Sequence, residues 1–547
     1  MPIDIDLVLH NARINTQAVE RPSASSLAIH AGRVLAIDPD RAEVRPREVL
    51  DAGGRTVVPG FIDAHAHSVW FGLTLMEADL TSARTLDEVY VTIGDAAGRV
   101  GPDDWVVAAG YSPLLVGGRQ PDRDALDSAA GGRPVWIKHA SGHACNVNGV
   151  GLGRIEASGR DLSAVIEGGV VVTDDAGRPT GLLEETAMSL VRDLMVPYPL
   201  TTLVKALDLA TAHYLTEGLT SVTDCGVAGG WIGYSPWELG AYQAAREAGV
   251  LRTRMQPMVV LDVLHPIKQH ASEPGARGID GGLRTGFGDD WLSLGPLKIF
   301  SDGSLFGGTA YMTREYDDCP GNHGYLQMAA DELRRATLEA CAGGWSIAMH
   351  AIGDAAIDEA ISILGEAQRL YGRRTLPHRI EHGGLVRPDQ VEMLAAAGIA
   401  VVPQPYFITQ LGDGMRTRLG DELVPWSYPA KSLLDHGLPV PGSSDRPVAH
   451  GRPLDIMQSF VERLTPSGFV YGPDERLTAA EALTAYTTGS AAVTGTAASR
   501  GRLAPGHLAD LVILDADPTE VPSHQIGAVQ VVATMVGGEV RHGADAL

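Results

Sequence analysis

Cysteine is scarce in this chain. There are four in 547 residues, Cys145, Cys225, Cys319 and Cys341, and no two form a Cys-x-x-Cys pair. Such spacing argues against a disulfide framework and fits a reducing compartment. Aromatic residues amount to only 5%. Positive charge is also in short supply: 43 Lys and Arg stand against 67 Asp and Glu, a formal net charge of −24. That balance argues against a nucleic-acid or anionic-membrane partner and favours solubility. No apolar run is long enough to span a bilayer, and Met1-Pro2-Ile3-Asp4-Ile5-Asp6 lacks a basic stretch leading into an apolar one. No signal peptide is therefore expected, and the expected location is cytoplasmic. No internal repeat, low-complexity tract or heptad pattern is present. With 44% hydrophobic and 20% charged residues, the chain has the profile of an ordinary globular protein.

Its length calls for several domains or one large barrel. Residues 1–58 read as β-rich, with a hairpin where Ala31-Gly32 separates two apolar segments. So short a segment cannot bury a sheet's inner face alone. Strand-like stretches at 508–515 and 529–540 offer a partner. A composite β domain, sandwich-like and built from 1–58 plus 500–547, is expected. Between them, short apolar runs alternate with Ala/Leu-rich helical stretches. Eight runs stand out: 60–67, 220–225, 254–260, 295–300, 346–350, 378–382, 399–403 and 439–445. Eight strands with intervening helices are the count of a (β/α)8 TIM-type barrel, placed at 59–499. Some 150 residues separate the first run from the second, far more than an ordinary βα loop. Residues 70–215 read as an inserted subdomain covering the barrel mouth.

In such a barrel the C-terminal strand ends face the active site. Those ends carry His65 and His67, Lys298, His350, His382 and Asp445. Side chains alternate along a strand, so His65 and His67 share a face. A bare His-x-His is weak evidence of a metal site; four histidines, a lysine and an aspartate at five strand ends are a stronger pattern. Neutral imidazoles and a carboxylate suit Zn²⁺, with Fe or Mn as alternatives. A pair of metals needs an anionic bridge, which an ammonium cannot supply. A buried lysine loses its proton readily and can take up carbon dioxide as a carbamate, the role assigned here to Lys298. Pairing with Asp302 or another acid is the alternative for that lysine.

The segment Pro59-Gly60-Phe61-Ile62-Asp63-Ala64-His65-Ala66-His67, followed by His350, Glu381-His382 and Ser444-Asp445, resembles the amidohydrolase superfamily of metal-dependent hydrolases. Leu297-Lys298-Ile299-Phe300-Ser301-Asp302-Gly303-Ser304, Met349-His350-Ala351-Ile352-Gly353-Asp354 and the long insertion resemble its YtcJ-like branch, which includes N-substituted formamide deformylases. The resemblance implies that His65, His67 and Asp445 bind one metal, that His350 and His382 bind a second, and that carboxylated Lys298 bridges the binuclear centre. It also implies hydrolysis of an amide-type C–N bond, N-formyl or N-acyl, by a metal-bound hydroxide with Asp445 as proton shuttle. The expected partner is a small-molecule substrate, with a homodimer as the assembly. A mononuclear deaminase, or an ester, lactone or carbamate hydrolase, is the alternative on the same fold, and a non-catalytic binding or regulatory protein is the alternative of another class. Deamination is disfavoured by the absence of a Glu shortly after His350. His143 resembles a recurrent element of the branch and is a candidate substrate donor. Trp70, Trp231, Tyr234, Tyr406 and Phe407 follow barrel runs and are candidate pocket walls; ordering its own loop for His143, and packing for the aromatics, are the competing roles.

Overall fold

In the computed structural model of this chain, which describes residues 2–547 except 41, 141–143, 164–168, 231, 269 and 274, Ala31 and Gly32 both take positive φ, 49° and 74°. Two successive positive φ values are what a type I′ turn requires, and the turn joins Leu27–His30 to Arg33–Ile37 as a hairpin. The hairpin continues through Ile3–His10 to Val44–Asp51 as a four-stranded sheet. A second sheet, of six strands, mixes the two chain ends. Glu539–His542, Val531–Val536 and Leu511–Leu514 lead into Thr56–Pro59, Arg13–Asn15 and Ser23–Ala24. Leu9, Ile29, Val57, Leu511 and Met535 share one buried cluster, so residues far apart in sequence supply each other's apolar face.

By contact, the chain divides into Met1–Ser68 with Ala210–Leu547, and Val69–Leu209. In the first unit seven parallel strands carry the candidate site: β1 Phe61–Ala66, β2 Leu219–Val227, β3 Arg254–Val259, β4 Leu297–Phe300, β5 Ile347–Ala351, β6 Arg379–His382 and β7 Ala400–Val402. Every residue of β1 and β2 is buried, as expected for parallel strands covered on both faces. Continuous pairing gives two sheets, β3-β2-β1 and β4-β5-β6-β7, with a single bridge from Val260 to Lys298 between them. The helix Pro388–Ala397 starts with proline in its first turn and stops at Gly398, whose φ is 64°, the expected start and stop signals.

The eighth expected strand, 439–445, is not a strand, so ladder pairing does not trace a closed eight-stranded barrel. The reason is local. Pro439 and Pro441 have no N–H to donate to a ladder, and the Gly442 N–H is taken by Ala485 O at 2.8 Å. The segment nevertheless lies along β1: Ala64 N donates to Gly442 O at 3.0 Å, and Asp445 N to His65 O at 2.7 Å.

The second unit holds its own six-stranded sheet, ordered Gly169–Thr173, Pro179–Glu185, Ala144–Val147, Val135–His139, Val106–Tyr111 and Ala78–Asp79. The helix Leu86–Ala97 opens with a Thr85/Glu88 capping box and buries Val89 and Ile93. Among the described residues no helix is long and apolar enough to cross a membrane.

Candidate metal centre

Asp63, His65 and His67 follow one another at every second position of β1 and its exit, which puts them on one face. His65 Nε2 lies 3.2 Å and His67 Nε2 2.9 Å from the same atom, Asp445 Oδ1. All three residues are buried, and one nitrogen or oxygen of each, able to bind a cation, falls within 4.8 Å of the others. Asp445 is brought there at a conformational cost, because its φ is 57°, a region that L side chains seldom adopt. His65 O holds it in place by accepting from both Ser444 N and Asp445 N, at 3.2 and 2.7 Å. Asp63 adds a second tie: its carboxylate accepts from His65 N at 3.1 Å and from Ser444 Oγ at 2.6 Å.

His382, at the end of β6, also sits at positive φ, 74°. Its Nδ1 contacts Gln404 Oε1 at 2.7 Å. The amide nitrogen of Gln404 is committed as donor to Val402 O at 2.8 Å, so Nδ1 carries the proton and Nε2 keeps its lone pair. His350 Nε2 donates to Gly303 O at 2.9 Å, which leaves Nδ1 as its lone-pair nitrogen. The His350 and His382 rings lie 4.6 Å apart, and His65 and His382 4.9 Å. Lys298 is 1% exposed, with Nζ over the Phe300 ring. Its alternative partner is engaged elsewhere: Asp302 accepts from the N–H groups of Tyr311, Ile352 and Gly353 at 2.9, 3.0 and 2.9 Å. Among the described residues Lys298 forms no ion pair.

Burial sets the protonation states. It pushes the Lys298 ammonium below its ordinary range. It brings His350 down to about 3, with Lys298 adding to the effect, and holds His382 well below neutrality, with His350 adding. Both imidazoles are therefore neutral donors of electron pairs. For Asp445, burial alone would favour protonation, but His65 and His67 outweigh it and hold the carboxylate well below its usual range.

Two acid–histidine groupings meet at His65. On the Nδ1 side, Glu381 lies at 2.5 Å and Cys225 nearby, but Arg379 already binds Glu381 at 2.6 and 3.0 Å. That side is satisfied. On the other side, His65 Nε2 is buried 3.2 Å from Asp445 Oδ1 without a well-formed hydrogen bond. A buried imidazole nitrogen facing a carboxylate oxygen at this distance needs a cation between them, a proton or a metal ion. The donor set of imidazoles and carboxylate therefore fits a divalent metal.

Glu381, Gln404 and Asp63 carry no role in the sequence-based ligand set, yet they orient His65, His382 and the Asp445 segment. The adjacency of Glu381 to His382, and the two-residue step from Asp63 to His65, were the available signals. Phe407 stacks on His382 with centroids 6.5 Å apart and is buried in an apolar cluster. Tyr406 faces the His450 ring at 5.2 Å. Trp70 belongs to the second unit and is half-buried. His143 and Trp231 lie outside the described residues.

Comparison with known proteins gives a family. The sequence profile described as "Amidohydrolase family" matches residues 48–542. The chain is 30% identical over 546 residues to Protein LONG AFTER FAR-RED 3 of Arabidopsis thaliana, covering 98% of this chain and 91% of that one. It is 29% identical over 551 residues to N-substituted formamide deformylase of Arthrobacter pascens, covering 98% of each. Among solved structures it resembles an uncharacterized metal-dependent hydrolase from Pyrococcus horikoshii, with a TM-score of 0.78 and 27% identity over 95% of this chain and 99% of that one. A profile running through both the terminal sheet and the histidine-bearing strands leaves one assignment: this chain belongs to the amidohydrolase family.

Proposed function

We propose that this chain is a metal-dependent hydrolase that cleaves an amide-type C–N bond, N-formyl or N-acyl, in a small molecule. One observation carries the proposal: the Nε2 atoms of His65 and His67 converge on Asp445 Oδ1 in a buried pocket, with His65 Nε2 lacking a hydrogen-bond partner. The bond type draws support from the relative named N-substituted formamide deformylase, similar over 98% of both chains.

His65, His67 and Asp445 would hold one divalent metal, proposed as zinc, with iron or manganese as alternatives. His350 and His382 would hold a second. Lys298 would join them as a carbamate. Its neutral amine forms an N–C bond to carbon dioxide and releases one proton to solvent, a step favoured by the burial that lowers its pKa. When bound, the metals supply Lewis acidity that polarises the carbonyl and acidifies water. Asp445, held ionised, accepts a proton from the attacking water and returns it to the leaving nitrogen, so that amide and water become acid and amine. Glu381 keeps His65 in the Nδ1–H form, and Gln404 does the same for His382.

A one-metal centre is the second reading, favoured by the grouping of His65, His67 and Asp445 as a set complete without Lys298. Metal content per chain, measured with and without Lys298→Ala, separates the two: a fall from two to one supports the bridge, and one metal in both supports the simpler centre. Carbon-13 NMR after exchange with labelled bicarbonate tests the carbamate directly. A carbamate signal present in the native chain and missing in Lys298→Ala is expected; its absence from both refutes that step.

A further inference from the structure

At the strand ends opposite the histidines lies a cavity of about 650 Å³. Ser346, just before β5, and Gln256, early in β3, are on its wall, whereas His350 and His382 lie at the far ends of their strands. Four arginines line it: Arg284, Arg373, Arg374 and Arg500. In a chain of net charge −24, acids to neutralise them are plentiful. Among the described residues, however, none of the four forms an ion pair. The two carboxylates at the rim are committed elsewhere. Asp289 binds both nitrogens of Arg246, at 2.8 and 2.6 Å, and Asp290 binds Arg33 at 2.8 Å.

The arginines are positioned by neutral groups instead. Arg374 donates to Cys341 O at 2.6 Å and Arg373 to Ala396 O at 3.3 Å. Arg500 donates to Ser221 Oγ at 2.9 Å and Asp290 O at 2.5 Å. Arg284 lies against Gly344, where φ is +90° and a Cβ would fall 2.5 Å from Arg284 Cδ. Arg500 is only 7% exposed, and the Nε atoms of Arg500 and Arg374 are buried without a partner. Burial, with Arg254 beside it, brings the Arg500 guanidinium down to about 10 against the opposing pull of Asp510, Asp290 and Asp289. A buried cation with an unmet N–H is costly unless an anion meets it.

We propose that this cavity binds a multiply charged, phosphate-bearing small molecule, at a site separate from the metal centre. Guanidinium forks match phosphate oxygens in pairs. A lone carboxylate would answer one of four charges, whereas a diphosphate answers several. The volume exceeds what one phosphate needs and falls in the range of small-molecule pockets. The strongly acidic chain disfavours a nucleic-acid strand as the occupant.

The test is calorimetric titration of the full chain with pyrophosphate at constant ionic strength, as purified and again after chelator treatment. Saturable binding of one pyrophosphate per chain, kept after chelation and tighter than that of inorganic phosphate, is expected. The double variant R284E/R373E, both of whose sites are exposed, should weaken it at least tenfold. R284Q serves as the milder variant and should weaken it severalfold. R45E, an exposed charge reversal in the terminal sheet, should leave it unchanged. The proposal is overturned by the absence of saturable binding, by binding lost on chelation, by phosphate matching pyrophosphate, or by the arginine variants behaving like R45E. None of these readouts depends on hydrolytic activity.

Discussion

Glu381 Oε2 accepts the Nδ1 proton of His65 at 2.5 Å. The carboxylate thereby decides which nitrogen of His65 faces Asp445. Arg379 holds the same carboxylate from behind at 2.6 and 3.0 Å, and with His65 it keeps Glu381 well below the usual carboxylate range against the opposing effect of burial. An arginine, a glutamate and a histidine thus form a chain that ends at the Nε2 facing Asp445.

Glu381→Gln should weaken that chain without removing its shape. Loss of an orienting partner to a ligating histidine costs about 10- to 100-fold in metal affinity. The buried Arg379 would also lose its counter-charge, at about 3–5 kcal/mol of stability. Chelator competition and a urea unfolding curve measure the two effects. Unchanged metal affinity would show that Glu381 does not orient a ligand.

Asp445→Asn should fold, because asparagine is among the residues that best tolerate the φ of 57° found there. Turnover should fall by about 10²- to 10⁴-fold, the usual worth of a positioned acid–base group, with most of the metal retained. Near-normal turnover in a metal-replete variant would remove the shuttle role.

Gly442→Ala probes how the Asp445 segment is set. A Cβ at Gly442 would lie 2.4 Å from Tyr486 Cδ2, and Tyr486 is fully buried. Overpacking of this kind costs about 1–3 kcal/mol. A displacement of 443–445 should lower metal affinity as well. Wild-type stability and affinity in this variant would mean that the segment yields without moving Asp445.

Glu238 gives a pH dependence away from the ligands. Burial raises its carboxyl from 4.5 to about 8, although Ala228 N and Tyr234 N donate to it. A raised acid binds more protons folded than unfolded, so stability should be fullest below about 4.5 and fall as pH rises toward 8. The slope contributed is at most about 1.4 kcal/mol per pH unit. Glu238→Gln should flatten this decline. Denaturant midpoints across that range check it, and an equally steep decline in the variant would assign the slope to other groups.

Much of the candidate site was legible because polar residues at strand ends carry local signatures. His65 and His67 share a strand face, and Lys298, His350 and His382 each sit on a short apolar run. Seven of the runs became strands, although β3 contains Pro257 and β6 carries Arg379 and Glu381. The eighth misled, because its apolar residues resembled a strand while Pro439 and Pro441 removed the donors a ladder needs. The residues around the strand-end histidines were less visible. Gln404 meets His382 across 22 positions and Glu381 meets His65 across 316, and no local pattern encodes partners brought together only by folding. The arginine cavity was hidden for the same reason, its four side chains coming from three distant segments.

The central claim is tested most directly by measuring acid and amine release from N-formyl, N-acyl, cyclic amide and ester compounds with the metal-loaded chain. Release of formate or another acid from an amide-type compound is expected. It should be lost on chelation, restored by adding metal back, and abolished by His65→Ala. No release from any compound class by chain confirmed to hold metal would contradict the hydrolase proposal.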